Sequence, residues 1–186
     1  MRGNMKVIAI GGEPGCGKTT LMKRIIEDVK PIPKYSEFKL VPYLQKDNIY
    51  ILGKYEEGEV FSGTDRMSMA VQPEAIKFLD SLPKNSILLF EGDRLFTASF
   101  LEHCVDLYDT SLIYLKTERS IRQDRYKERG SNQNETWLAG RETKVSNIMS
   151  NFSLMFNTET FMNNTYEEQT NVYNAIKDMM EKNYGN

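Results

Sequence analysis

The sequence has one histidine, two cysteines and one tryptophan in 186 residues. A single histidine, His103, excludes a histidine-rich metal site. Cys16 and Cys104 stand far apart, which excludes a disulfide framework or a cysteine-based zinc site and fits a reducing compartment. No apolar run approaches the roughly 18 residues that a membrane span needs. The opening MRGNMKVIAIGG has no cleavable-signal pattern. There is also no excess of positive charge: 24 Lys+Arg stand against 26 Asp+Glu, a net charge of -2. Nucleic-acid binding by bulk charge is disfavoured, while a local basic patch is still allowed. Together these absences point to a cytoplasmic protein, and there are no internal repeats and no low-complexity tract.

Apolar residues make up 40% of the chain, enough to bury a core. KVIAI at 6–10 is a short, β-branched apolar run that predicts a buried parallel strand. A glycine-rich turn follows, then a helix over 18–29 with Leu21, Met22, Ile25, Ile26 and Val29 on one face. Pro31 and Pro33 end it. Residues 38–55 predict a hairpin around Lys46, Asp47 and Asn48. Helices are expected at 73–82, 97–107, 118–129 and 136–151, and strands at 86–90, 111–115 and 158–162. Thr165 and Glu168 have capping-box spacing at the start of a last helix. Apolar strands alternating with helices predict one α/β domain, a parallel sheet covered on both faces. An acceptor-side hairpin insertion at about 35–72 and a lid at about 118–145 are expected within it.

Gly12, Glu13, Pro14, Gly15, Cys16, Gly17, Lys18 and Thr19 match G-x-x-x-x-G-K-[ST] in full, between a strand and a helix. Glycines let successive backbone N–H groups curl around a phosphate, and the helix N-terminus adds its positive end. Lys18 then reaches the β- and γ-phosphates of ATP, Thr19 holds Mg²⁺, and Thr20 is placed for the α-phosphate. The pattern predicts the phosphate loop of a P-loop NTPase, with a three-layer α/β sandwich as the expected fold.

Such a site needs an acid at the tip of a neighbouring strand to organise Mg²⁺. Glu91 and Asp93 follow the apolar strand SILLF. Two residues apart in an extended segment, they would face the same way. One would serve the metal and the other accept a proton, and the sequence leaves open which. Arg94 is expected at the mouth of the same cleft.

Arg122, Arg125 and Arg129 fall on one helix face. Between 116 and 144 eight Lys/Arg stand against five Asp/Glu, a positive segment in an acidic chain. That is the pattern of a lid that closes on a phosphoryl group, with Arg141 and Lys144 completing it. On the acceptor side, Asp65 and Arg66 lie in a polar loop and are candidates for a sugar or base edge and for a phosphate. Trp137, near Asn132, Gln133 and Asn134 in the basic segment, is a candidate for stacking on a base. Tyr35, Phe38, Tyr43, Tyr50 and Tyr55 read mostly as the aromatic side of a half-buried hairpin.

The phosphate loop, the strand ending in Asp93-Arg94 and the arginine lid resemble nucleotide kinases of the thymidylate-kinase type. The loop GTDR at 63–66, EGDR at 91–94 and GRETK at 140–144 are similar to a phage branch, the 5-hydroxymethyluracil DNA kinases. One departure is Leu95, which stands where an ordinary thymidylate kinase has an aromatic residue directly after Asp-Arg. The resemblance implies ATP, Mg²⁺ and, as acceptor, the 5-hydroxymethyl group of a modified base in DNA. Free nucleoside monophosphates or nucleosides are the alternative acceptors. By analogy with the fold, the adenine is expected near Asn163 and Asn164. A nucleotide switch is disfavoured, because the chain has neither Asn-Lys-x-Asp nor a matching Asp-x-x-Gly element.

Overall fold

The computed structural model describes residues 5–182 apart from Ser36, Lys39, Val60 and 131–133. Its strands are β1 (Lys6–Gly12), β2 (Ile32–Tyr35), β3 (Pro42–Lys46), β4 (Ile49–Leu52), β5 (Ile87–Glu91), β6 (Asp109–Lys116) and β7 (Thr158–Met162). Its helices are α1 (Lys18–Val29), α2 (Val71–Ser81), α3 (Ala98–Leu107), α4 (Arg119–Glu128), α5 (Glu135–Met149), α6 (Phe152–Met155) and α7 (Tyr166–Glu181).

The strands form one sheet in the order β2-β3-β4-β5-β1-β6-β7. β1 pairs in parallel with β5 and β6, β4 with β5, and β7 with β6. Strand alternation splits the core. Val7, Ala9, Leu88 and Phe90 point to one side, with Phe78 of α2 and Phe100 of α3. Ile8, Ile10, Leu89 and Ile113 point to the other, with Leu21 and Ile25 of α1 and Val172 and Ile176 of α7. Strands buried on both faces have no polar side to show, which is why their sequences are almost wholly apolar.

The expected hairpin is present as β3 and β4, and it continues the main sheet through β4 and β5. β2 was not foreseen. Pro31 and Pro33 stop α1, but Pro33 sits in an edge strand, where its missing N–H is tolerated. Thr165 and Glu168 form the predicted capping box of α7. Among the described residues no helix is long and apolar enough to cross a membrane.

Candidate functional site

β1 ends at Gly12 in register with Leu115 of β6, and β5 ends at Glu91 beside Ile10. The site lies on these carboxyl ends, where an open parallel sheet leaves a crevice. Gly17 opens α1 in the left-handed region at φ 89°. A Cβ there would fall 2.6 Å from the Asn163 amide nitrogen, so only glycine fits. The loop is anchored from behind, because Asn163 donates to the Cys16 carbonyl at 2.7 Å. Lys18 turns back into its own loop and donates to the carbonyls of Gly12 at 2.9 Å and Glu13 at 3.2 Å. Burial works against its charge, but the Cys16 sulfur and the carboxylates of Asp93, Glu91 and Asp65 outweigh it and hold the ammonium above its ordinary range. Cys16 is fully buried, and burial raises its thiol.

Glu91 is buried, with 1% exposure. Its Oε1 accepts from the Thr19 hydroxyl at 3.2 Å and from the Tyr55 hydroxyl at 3.1 Å. Burial pushes its carboxyl up to about 7, against the pull of Lys18. Burial, the Glu91 charge and the bond to Glu91 keep the Tyr55 phenol protonated. Asp93 lines the same cleft as Glu91, Lys18 and Thr19. The path between the two acids is not the extended step expected from sequence: Gly92 has φ 106°, and the chain turns there. Asp65 makes up the third carboxylate of the cleft. It accepts from the Asp93 backbone N–H at 2.8 Å, and burial and Asp93 raise its carboxyl.

The three lid arginines do not share one role. Arg122 is buried and pairs with Glu13 of the phosphate loop and Glu142 of α5, both at 2.9 Å. Arg125 donates to the carbonyls of Gly15 and Asn163, each at 3.0 Å, and of Asn164 at 3.3 Å. Tyr126 adds a hydroxyl bond to the Pro14 carbonyl. α4 is therefore pinned to the loop by two of the arginines expected to face a phosphate. Arg129, just past α4, lines the cleft and has no partner among the described residues.

On the acceptor side, Trp137 of α5 lines the cleft, with the Arg141 guanidinium 5.0 Å over its ring. Arg141 also reaches Asp93 at 3.2 Å, and Lys144 donates to the Asp93 carbonyl at 2.8 Å. Burial holds the Lys144 ammonium below its ordinary range. Asn132 and Gln133 lie outside the described residues. Three expectations need correction. Arg66 is taken by Glu56 at 2.8 Å and Glu59 at 3.7 Å and does not line the cleft. Arg94 turns to the Met67 carbonyl at 3.2 Å and the Met69 sulfur, away from the cleft mouth. Asn163 does not present a free amide to a base, because it is buried and donates to the Cys16 carbonyl, and the Asn164 side-chain oxygen accepts from the Glu118 N–H at 2.9 Å.

The donor set fits a nucleotide with Mg²⁺. Residues 12–20 would cradle the phosphates, and Thr19 and Glu91 offer one hydroxyl and one carboxylate. Among the described residues no group of three His, Cys, Asp or Glu gathers to hold an ion.

The sequence model of the family described as P-loop Nucleotide Kinase3 matches residues 3–173. No curated protein matches the chain. Among solved structures, an uncharacterized protein from Eubacterium ventriosum is similar at 14% identity over 94% of this chain and 97% of that one, with a TM-score of 0.48. A gluconokinase from Sinorhizobium meliloti is similar at 11% identity over 96% and 97%, with a TM-score of 0.46. A shikimate kinase from Bacteroides thetaiotaomicron is similar at 14% identity over 95% and 98%, with a TM-score of 0.43.

Proposed function

The chain belongs to the P-loop Nucleotide Kinase3 family, and on that premise we propose that it transfers the γ-phosphoryl group of ATP to a hydroxyl of a nucleotide-type acceptor. One observation carries this reading. Lys18 and Thr19 of the phosphate loop share a cleft with Glu91, Asp93, Asp65, Arg129 and Trp137. Phosphoryl transfer needs little more than positioning and charge, and both are present.

The residues divide the work by their surroundings. The N–H groups of the loop from Gly12 to Thr20 hold the phosphates, and Lys18 leaves its loop carbonyls for the β- and γ-oxygens. Thr19 and Glu91 would hold Mg²⁺, which when bound would offset phosphate charge. Glu91 is enclosed, with Oε1 occupied by two donors. Asp93 lines the same cleft as Trp137 and is the proton acceptor. The acceptor O–H gives its proton to the Asp93 carboxylate, its oxygen bonds to the γ-phosphorus, and the bond from phosphorus to the β-bridging oxygen breaks to release ADP. Arg129 is the lid cation for the moving phosphoryl group.

The acceptor reading is the 5-hydroxymethyl group of 5-hydroxymethyluracil in DNA. It is supported by the likeness of the 63–66, 91–94 and 140–144 segments and by Trp137, which lines the same cleft as Asp93. A base taken out of the stack can rest on such a ring. A free nucleotide is the second reading, favoured by Glu56 and Glu59 around Arg66, which repel a long polyanion. The test is γ-labelled ATP with DNA containing 5-hydroxymethyluracil, with ordinary DNA, and with free nucleosides and monophosphates. Label in the modified DNA alone supports the first reading. Label in a monophosphate or nucleoside supports the second, and ATP consumed with no labelled acceptor overturns both.

A further inference from the structure

We propose that Tyr55 is the positioning residue for the Glu91 carboxylate, and through it for the Mg²⁺ that Thr19 and Glu91 would hold. The inference rests on the reading of Glu91 as a metal-facing acid.

Tyr55 lies outside the phosphate loop, the strand tips and the lid. Its ring packs against the core cluster on the α1 side of the sheet, and its hydroxyl reaches Glu91 Oε1 at 3.1 Å. Thr19 donates to the same oxygen at 3.2 Å. Two donors from different elements fix the plane of the carboxylate. Among the described residues Oε2 has no donor and stays available to a hydrated cation.

The backbone around Tyr55 is built to keep that hydroxyl in place. Lys54 and Gly63 form an antiparallel bridge, with Gly63 N–H donating to the Lys54 carbonyl at 2.8 Å and Lys54 N–H to the Gly63 carbonyl at 3.2 Å. A Cβ on Gly63, which has φ +72°, would fall 2.3 Å from Glu91 Oε1 and 2.9 Å from the Tyr55 hydroxyl. Only glycine lets the loop come this close. Next along, Thr64 donates to the Glu91 carbonyl at 2.9 Å. The loop between β4 and α2 therefore grips Glu91 at its side chain and its backbone. A wandering carboxylate weakens a metal site even when the ligand itself is intact, which is why outer partners matter for affinity.

The test compares the unaltered protein with Tyr55→Phe and Glu91→Gln. Tyr55→Phe keeps the ring and its packing and removes only the donor. Binding of a non-hydrolysable ATP analogue is titrated with Mg²⁺, using the fluorescence of Trp137, the single tryptophan, and the same binding is measured in EDTA. Tyr55→Phe is expected to melt close to the unaltered protein and to need 3- to 10-fold more Mg²⁺ for half-maximal binding, with binding in EDTA unchanged. A structural role alone would not move the Mg²⁺ requirement by itself. An unchanged requirement in Tyr55→Phe, with a raised one in Glu91→Gln, overturns the role of Tyr55 and leaves Glu91 standing. An unchanged requirement in both overturns the metal-facing reading of Glu91 as well.

Discussion

Arg125 places one guanidinium nitrogen 3.0 Å from the carbonyl of Gly15, inside the phosphate loop. Its other nitrogen spans to the carbonyls of Asn163 and Asn164, so one side chain ties α4, the phosphate loop and the turn before α7. Removing it leaves the Gly15 and Asn164 carbonyls without that donor, while Asn163 keeps the bond from the Thr117 hydroxyl. Arg125→Ala is expected to lose about 1–3 kcal/mol of stability, seen as a lower thermal midpoint.

Arg129 is the opposite case. It is exposed, has no partner among the described residues, and lines the cleft. Arg129→Ala is expected to melt like the unaltered protein while turnover falls by about 10³-fold. Steady-state kinetics beside a melting curve separates the two arginines. Near-normal turnover in Arg129→Ala would sink its assignment as the lid cation.

Much of this arrangement was legible in the sequence, and the limits are physical. The phosphate loop, its flanking strand and helix, and the capping box of α7 are local patterns whose chemistry is fixed by spacing. The lid arginines share a helix face at i, i+3 and i+7, but the three ends diverge according to what packs around them. Spacing gives the face and says nothing of the partners. Tyr55 was one aromatic among five in its segment, and only the return of the chain at Gly63 brings it to Glu91. β2 was hidden by prolines, which end a helix and permit an edge strand alike.

Lys18→Ala removes the cation shared by three carboxylates. ATP turnover is expected to fall by at least about 10²-fold, the scale of losing one preorganised charge donor. Retained turnover, measured by ADP release, would overturn the phosphate-loop reading.

Glu91 gives the ligand-free protein a pH signature. Burial raises its carboxyl from an ordinary 4.5 to about 7, so between those values the folded protein binds the proton that the unfolded chain has lost. Stability therefore falls as pH rises through this window, by on the order of 3 kcal/mol from this group. Glu91→Gln lacks the carboxyl and is expected to melt higher than the unaltered protein at pH 8. The gap should close near pH 4.5. Parallel melting curves across that range, without nucleotide or Mg²⁺, would show otherwise if Glu91 were ionised throughout.

Trp137→Ala leaves the phosphate loop intact and removes the ring beneath Arg141. The KM for the acceptor is expected to rise by about 10-fold or more, the scale of one stacked base, with the KM for ATP nearly unchanged. Equal shifts in both would place Trp137 on the nucleotide side.

The bridge between Lys54 and Gly63 sets the terms on which this scaffold can be given a new acceptor. Residues 56–59 are exposed and can be exchanged as a cassette, whereas Ser62 is buried and lines the cleft with Lys18 and Thr19. A graft that also replaces Tyr55 or Gly63 would reach into the catalytic centre and carry its own carboxylate geometry with it. Transplanted specificity is inherited only inside those two posts.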